Sequence, residues 1–161
     1  MTTGGQSIIS TVTGLFLLAG AGTTQVRQAG GQDLEQAVLT TNAEMARAGE
    51  AVDAERMFNF MLDTDKGSVI QNGEFLATRG EALQRVKANL RGISKIEYHW
   101  KRQHVTALAA DVALLTAEGV SVATTTEGQV VTTPFAQTVV FVMREGHWKA
   151  LHAHQSSPQV R

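Results

Sequence analysis

An α+β domain, with helices first and a curved, mostly antiparallel sheet after them, is predicted by three observations. Apolar residues keep helical spacing from Leu34 to Leu62 and again from Leu83 to Ile93. From Lys95 the period changes to that of strands and holds to Ser156. Acid–glycine pairs at Glu127-Gly128 and Glu145-Gly146 then divide this stretch into antiparallel neighbours. Helices followed by a strand meander leave one apolar face on each layer, and those faces bury each other.

A chain of 161 residues is long enough for one domain with a hydrophobic core. The net charge is −1 with both signs interspersed, so no basic stripe is offered to nucleic acid. Cysteine is absent, which excludes disulfides, thiolate metal sites and cysteine nucleophiles. The stretch Ile8 to Gly22 is apolar and rich in small residues, and Ala19-Gly20-Ala21 resembles a signal-peptidase site. It is too short for a stable membrane span but fits the apolar region of a signal peptide. No basic residue precedes it, and the first is Arg27. The expectation is therefore an exported protein, periplasmic or secreted, or a cytoplasmic one if the segment is a disordered extension. Residues 1–32 are set apart on this reading, 33–158 form the domain, and 159–161 are a tail.

Within the domain, Gly30-Gly31 reads as a linker and Asp33 with Gln36 as a capping-box start. Leu34, Ala37, Val38, Thr41, Met45 and Ala48 then follow one helical face to Gly49. A second helix is expected over Ala51–Leu62, with Asp53 and Glu55 at its positive end and Met57, Phe58, Phe60 and Met61 as core or contact residues. Two short strands, Ser68–Ile70 and Glu74–Leu76, flank Asn72-Gly73, a strong type I′ hairpin signal. Thr78 and Glu81 form a capping box for a third helix, with Leu83, Val86, Leu90 and Ile93 on one face. Strands follow at about Ile96–Thr106, Val112–Thr125, Val130–Met143 and His147–Ser156.

The order of elements and the closing stretch TPFAQTVVFVMREGHWKALHAHQSSP resemble the nuclear-transport-factor-2-like superfamily. The likeness is closest to SnoaL-like and ketosteroid-isomerase-like bacterial proteins and to the calcium/calmodulin-dependent kinase association domain. It covers Asp33 to Pro158, and its specific part is the final hairpin: an acid–glycine turn, Trp148-Lys149, then His152-x-His154-x-Ser156-x-Pro158. This resemblance implies a cone: a strongly curved sheet wrapped round a long helix, with an apolar pocket at the wide end. It also implies homodimers formed through the convex face of the sheet. Fold alone does not choose among isomerases, dehydratases, ligand carriers and assembly modules.

Members of this superfamily that use a carboxylate base need it buried, where its pKa rises. Here the last aspartate is Asp111, in an expected turn, so that chemistry is not carried over. Nor is the anion site of the kinase association domains, since Val139 and Gln155 stand where basic residues would. His152 and His154, two apart in a strand, share a face and act together. Three roles are open to them: acid–base catalysis, contacts at a dimer interface or strand edge, and metal ligation with His104 or Glu118 as a third ligand.

Turn register bears on this choice. A two-residue Glu145-Gly146 turn pairs Arg144 with His147 and puts His152 and His154 on the face of Val139 and Gln137. A three-residue Arg144-Glu145-Gly146 loop with glycine in the left-handed position shifts the pairing by one, and the glycine position favours it. Phe135, Gln137, Val139, Phe141, Leu151, Ala153 and Gln155 then form an apolar face with a few amides, and the histidines and Trp148 turn outward. The pocket expected on this basis is lined by Phe135, Gln137, Val139, Phe141, Leu151, Gln155 and Tyr98, with His152 and His154 as the catalytic candidates. No cofactor or metal is expected. The reading is a dimeric cone-fold protein that binds a small apolar molecule and acts, if at all, as a His-based isomerase or dehydratase. The alternative is a non-catalytic oligomerisation module.

Overall fold

A computed structural model describes residues 22–158. The apolar stretch expected to direct export lies, but for Gly22, outside the described residues, as does the tail. No described helix is long and apolar enough to cross a membrane. The elements run α1 (Gly22–Glu50), α2 (Ala54–Phe58), β1 (Val69–Gln71), β2 (Glu74–Leu76), α3 (Arg79–Asn89), β3 (Ile93–Ala109), β4 (Val112–Thr125), β5 (Val130–Arg144) and β6 (His147–Ser156). Helices pack on one face of a single six-stranded sheet ordered β2-β1-β6-β5-β4-β3. The sheet is antiparallel except where β1 joins β6 in parallel. This is the α+β cone architecture expected above, with the face under α1 as its inner face.

Two helix boundaries differ from the sequence-based expectation. α1 does not start at Asp33; it runs through Gly31, which stays helical instead of forming a linker. A glycine weakens a helix by about 1 kcal/mol but does not end one whose neighbours continue it. α2 is one short helix, capped by Asp53, whose Oδ1 accepts from the Arg56 N–H at 2.9 Å. The chain leaves it early because a longer-range partner takes over: the Leu62 N–H donates to Ala150 O at 2.9 Å and the Ala150 N–H to Phe60 O at 2.8 Å. Between α1 and α2, Asp53 N–H donates to Ala48 O and Val52 N–H to Gly49 O, closing the helix with Val52 in the left-handed region at φ 57°.

Other local signals read through directly. Asn72 and Gly73 have φ of 51° and 87°, as a type I′ turn requires. At α3, Thr78 Oγ1 accepts from Glu81 N–H while the Glu81 carboxylate accepts from Thr78 N–H, a complete capping box. The core lies between α1, α2, α3 and the inner face, with Val38, Phe58, Leu115, Val139 and Phe141 fully buried. Each such side chain contributes about 1.5–3 kcal/mol of burial.

The last hairpin combines both expected registers. Glu145 and Gly146 form a two-residue turn with φ of 52° and 77°, so Arg144 pairs with His147 and Met143 with Trp148. A type I′ turn matches the strand twist and needs no third residue. The extra residue sits in β6 instead: Phe141 faces Ala150 and Val140 faces His152, leaving Leu151 unpaired as a bulge. Beyond it the pairs are Val139–Ala153 and Gln137–Gln155. Trp148 is therefore on the inner side and 7% exposed, not turned outward as expected.

A second bulge, between Trp100 and Arg102 in β3, brings Trp100 opposite Gly119. A Cβ at Gly119 would lie 2.7 Å from the His99 carbonyl oxygen and 3.1 Å from the Phe135 ring. Backbone cannot yield as a side chain does, so Gly119→Ala is expected to cost about 1–3 kcal/mol through overpacking. Urea unfolding checks this; an unchanged midpoint would mean the strands separate freely there.

Candidate functional site

Alternation along β3 to β6 sorts side chains into cross-strand rows. One inner-face row runs Gln103, Ala117, Gln137, Gln155 and Gln71 across five strands. Ala117 is the small member of the row, and Asn42 from α1 is buried to 1% exposure. Asn42 Nδ2 donates to Gln103 Oε1 at 3.0 Å, and Gln137 Nε2 donates to Asn42 Oδ1 at 3.5 Å. At the other end, Gln71 Nε2 donates to Gln155 Oε1 at 3.1 Å, and Asn89 Nδ2 from α3 donates to Gln71 Oε1 at 3.5 Å. A buried amide costs little only when it is paired, and Asn42 is paired on both sides.

On one side of this amide row lies the aliphatic core of Leu115 and Val139; on the other stands an aromatic cluster. Trp100 and Phe135 meet edge-to-face with centroids 5.3 Å apart, and Tyr98 meets Phe135 edge-to-face at 6.0 Å. Tyr98 is fixed by the end of α1: its N–H donates to Glu50 Oε1 at 3.0 Å, and a Cβ on Gly49 would lie 3.1 Å from its hydroxyl oxygen. Burial, helped by the nearby Glu50 carboxylate, holds the Tyr98 hydroxyl above the usual phenol range.

Among the described residues, Gln103 Nε2, Gln137 Oε1, Gln155 Nε2, Tyr98 Oη and Trp100 Nε1 have no hydrogen-bond partner. All five residues are half-buried, and among the described residues the one fully buried side-chain polar atom without a partner is Ser68 Oγ. Solvent therefore reaches these atoms on the inner face. They form the candidate site: neutral donors and one amide acceptor beside an aromatic wall.

The residues singled out from the sequence fall into two groups. Phe135, Gln137, Val139, Phe141, Gln155 and Tyr98 are all on the inner face; Val139 and Phe141 are fully buried beneath it. Leu151 is not with them: the bulge pushes it out to 36% exposure. His152 and His154 lie on the outer face, opposite Val140 and Thr138. Gly67 O can only accept, so His152 Nδ1, 2.8 Å away, must donate to it, which ties the loop before β1 to β6. His104 and His154 end one outer row, His104–Thr116–Thr138–His154, three strand spacings or about 14 Å apart. A single ion cannot be shared over that distance. Glu118 is instead engaged by Arg102, Nε to Oε1 at 3.0 Å. Asn42, Gln103 and Gln71 were missed by sequence reasoning. The available signal was Asn42 itself, a polar residue four after Val38 on the apolar face of a helix.

A family model described as a SnoaL-like domain matches residues 38–159. The chain belongs to the SnoaL-like family. Solved structures agree on the fold of this SnoaL-like chain. An NTF2-like family protein from Streptomyces avermitilis, assigned as a candidate dehydratase, is 21% identical, covers 80% of this chain and 99% of its own, and has a TM-score of 0.70. A ketosteroid isomerase-like protein from Erwinia carotovora atroseptica is 15% identical, covers 78% and 96%, and has a TM-score of 0.64. An uncharacterized protein with a cystatin-like fold from Caulobacter vibrioides is 19% identical, covers 77% and 89%, and has a TM-score of 0.63. No curated protein matches the chain. At these identities the SnoaL-like likeness carries the fold and not a reaction.

Tyr98 is the single tyrosine of the chain, so its ionisation can be followed alone. Its folded pKa is raised, so its contribution to stability is complete below the unfolded value of about 10 and is lost as pH rises through the folded value. The tyrosinate absorbance near 295 nm is expected to appear only above pH 10 in the folded protein. An ordinary titration near pH 10 would place the hydroxyl in open water.

Proposed function

We propose that this SnoaL-like protein binds a small, neutral, mostly apolar molecule between the inner face of the sheet and the helices. The observation that carries this reading is the set of unpartnered, solvent-reached amide and ring polar atoms beside Trp100 and Phe135. A few placed polar groups on an apolar wall suit orientation of one small ligand. Gln103, Gln137 and Gln155 carry no charge, so the site favours hydrogen bonding over ion pairing. His-based turnover beside these amides finds no support, because His152 and His154 are on the other side of the sheet from Gln137 and Gln155.

A thermal-shift screen of neutral aromatic compounds tests the reading. A ligand at a hundred times its Kd adds about 2.7 kcal/mol, and each kcal/mol raises Tm by about 2–8 °C in domains of 60–250 residues. Trp100→Ala should abolish the shift while the protein still unfolds cooperatively. A shift that survives this change would place binding elsewhere.

A homodimer through the outer face is proposed as a second element. It is favoured by the outer groove of about 370 Å³, lined by Arg102, Glu118, His104, Thr116, Thr138 and His154. Its Arg102–Glu118 pair presents both signs side by side, so a two-fold-related copy offers each charge its opposite. Arg102→Glu is expected to shift the protein from dimer to monomer in sedimentation, and Arg102→Glu with Glu118→Arg to restore the dimer. Equal behaviour of all three would remove the outer face from assembly.

A further inference from the structure

The inner-face amides form two directional chains. In one, Gln137 donates to Asn42 and Asn42 donates to Gln103. In the other, Asn89 donates to Gln71 and Gln71 donates to Gln155. An amide that spends its nitrogen as donor keeps its carbonyl free, and one that spends its carbonyl keeps its N–H groups free. The first chain therefore begins on a free Gln137 Oε1, and the second ends on a free Gln155 Nε2. Gln137 and Gln155 are direct cross-strand partners on one face, where Cβ atoms are about 4.5–5.5 Å apart. The two chains thus place one free acceptor beside one free donor.

Resting on the ligand-binding reading above, we propose that this pair of amides recognises a planar lactam, whose ring N–H and adjacent C=O meet Gln137 Oε1 and Gln155 Nε2 respectively. The lactam ring then extends towards the wall made by Trp100 and Phe135. A ketone or ether alone answers Gln155 and leaves the Gln137 carbonyl without a donor, a loss that grows as water is excluded. A carboxylic acid has the same donor–acceptor edge but ionises, and none of the amides it would meet offers a cation. Asn42 is a positioning residue in this scheme: it holds the Gln137 nitrogen and so keeps the carbonyl turned to the ligand.

The test uses three probes with the intact protein: quinolin-2(1H)-one, its N-methyl derivative and naphthalene, each titrated by calorimetry. Side-chain amide signals of Gln155 are followed in parallel by ¹H–¹⁵N spectra. The expected result is that quinolin-2(1H)-one binds at least about ten-fold more tightly than either control and shifts the Gln155 amide protons. Gln155→Met should reduce that preference to near one-fold without loss of naphthalene binding. Asn42→Leu should lower the preference while Trp100-dependent binding of naphthalene persists. Because Asn42 is buried, this variant is judged only if its unfolding remains cooperative, and Gln155→Met decides otherwise. Equal affinity for all three probes would overturn the lactam assignment and leave the ligand-binding reading standing. Binding of other neutral aromatics with none of these three would do the same. If no neutral compound binds and the Gln155 signals never move, both fall.

Discussion

The unpaired residue in β6 is the constraint on which the inner face depends. A two-residue turn fixes the pairing at the Trp148 end, and strand alternation would carry that parity through to Gln155. Without the bulge at Leu151, His152 and His154 would face α1, and Ala153 and Gln155 would face outward. His152 would then stand opposite Val139 in the aliphatic floor, at the cost of an imidazole in an apolar layer, and His154 would take the place of Gln155 opposite Gln137. One bulge reverses the parity between Ala150 and His152 and lets both halves of β6 satisfy the same core. It also delivers Gln155 to the amide row and Ala153 against β1.

That row explains how a polar layer survives inside the fold. Asn42 is almost completely buried, yet each side of its amide has a partner on a different strand. Its partners, Gln103 and Gln137, are separated by the strand carrying Ala117, so a small residue in the middle is what permits the bridge. The same economy of space recurs one row further on, where Gly119 admits the edge-to-face contact of Trp100 with Phe135. Floor, amide layer and aromatic wall are thus successive rows of the unshifted β4–β5 register, and the bulges in β3 and β6 bring Trp100 and Gln155 into line with it.

The two faces of the sheet divide the chemistry. The inner face carries neutral amides, an indole and a phenol whose pKa burial raises further. The outer face carries the histidines, the hydroxyls of Thr116 and Thr138, and the Arg102–Glu118 pair. Charge stays where water can solvate it, and the neutral polar groups of the inner face are only partly paired. His152 serves the fold directly, donating to Gly67 O and so helping to dock the parallel strand β1 beside β6.

By itself the sequence determined the α+β order, four of the strands to within a few residues, the Asn72-Gly73 hairpin and the Thr78 cap of α3. These are local matters, written in period, turn residues and caps that neighbours in the chain settle among themselves. Glycine at Gly31 and the apolar run to Leu62 misled because helix propagation overrode the first and a backbone bridge to Ala150 cut short the second. The amide row was only half legible: Gln137 and Gln155 showed in the alternation, whereas Asn42, Gln103 and Gln71 did not. Their meeting joins residues as far as 95 positions apart, and no local pattern encodes which amide will reach which. Tertiary structure alone decided where the extra residue of the last hairpin went. Turn and strand could each absorb it, and the choice lay with the packing of Trp148 and Ala150 against the core.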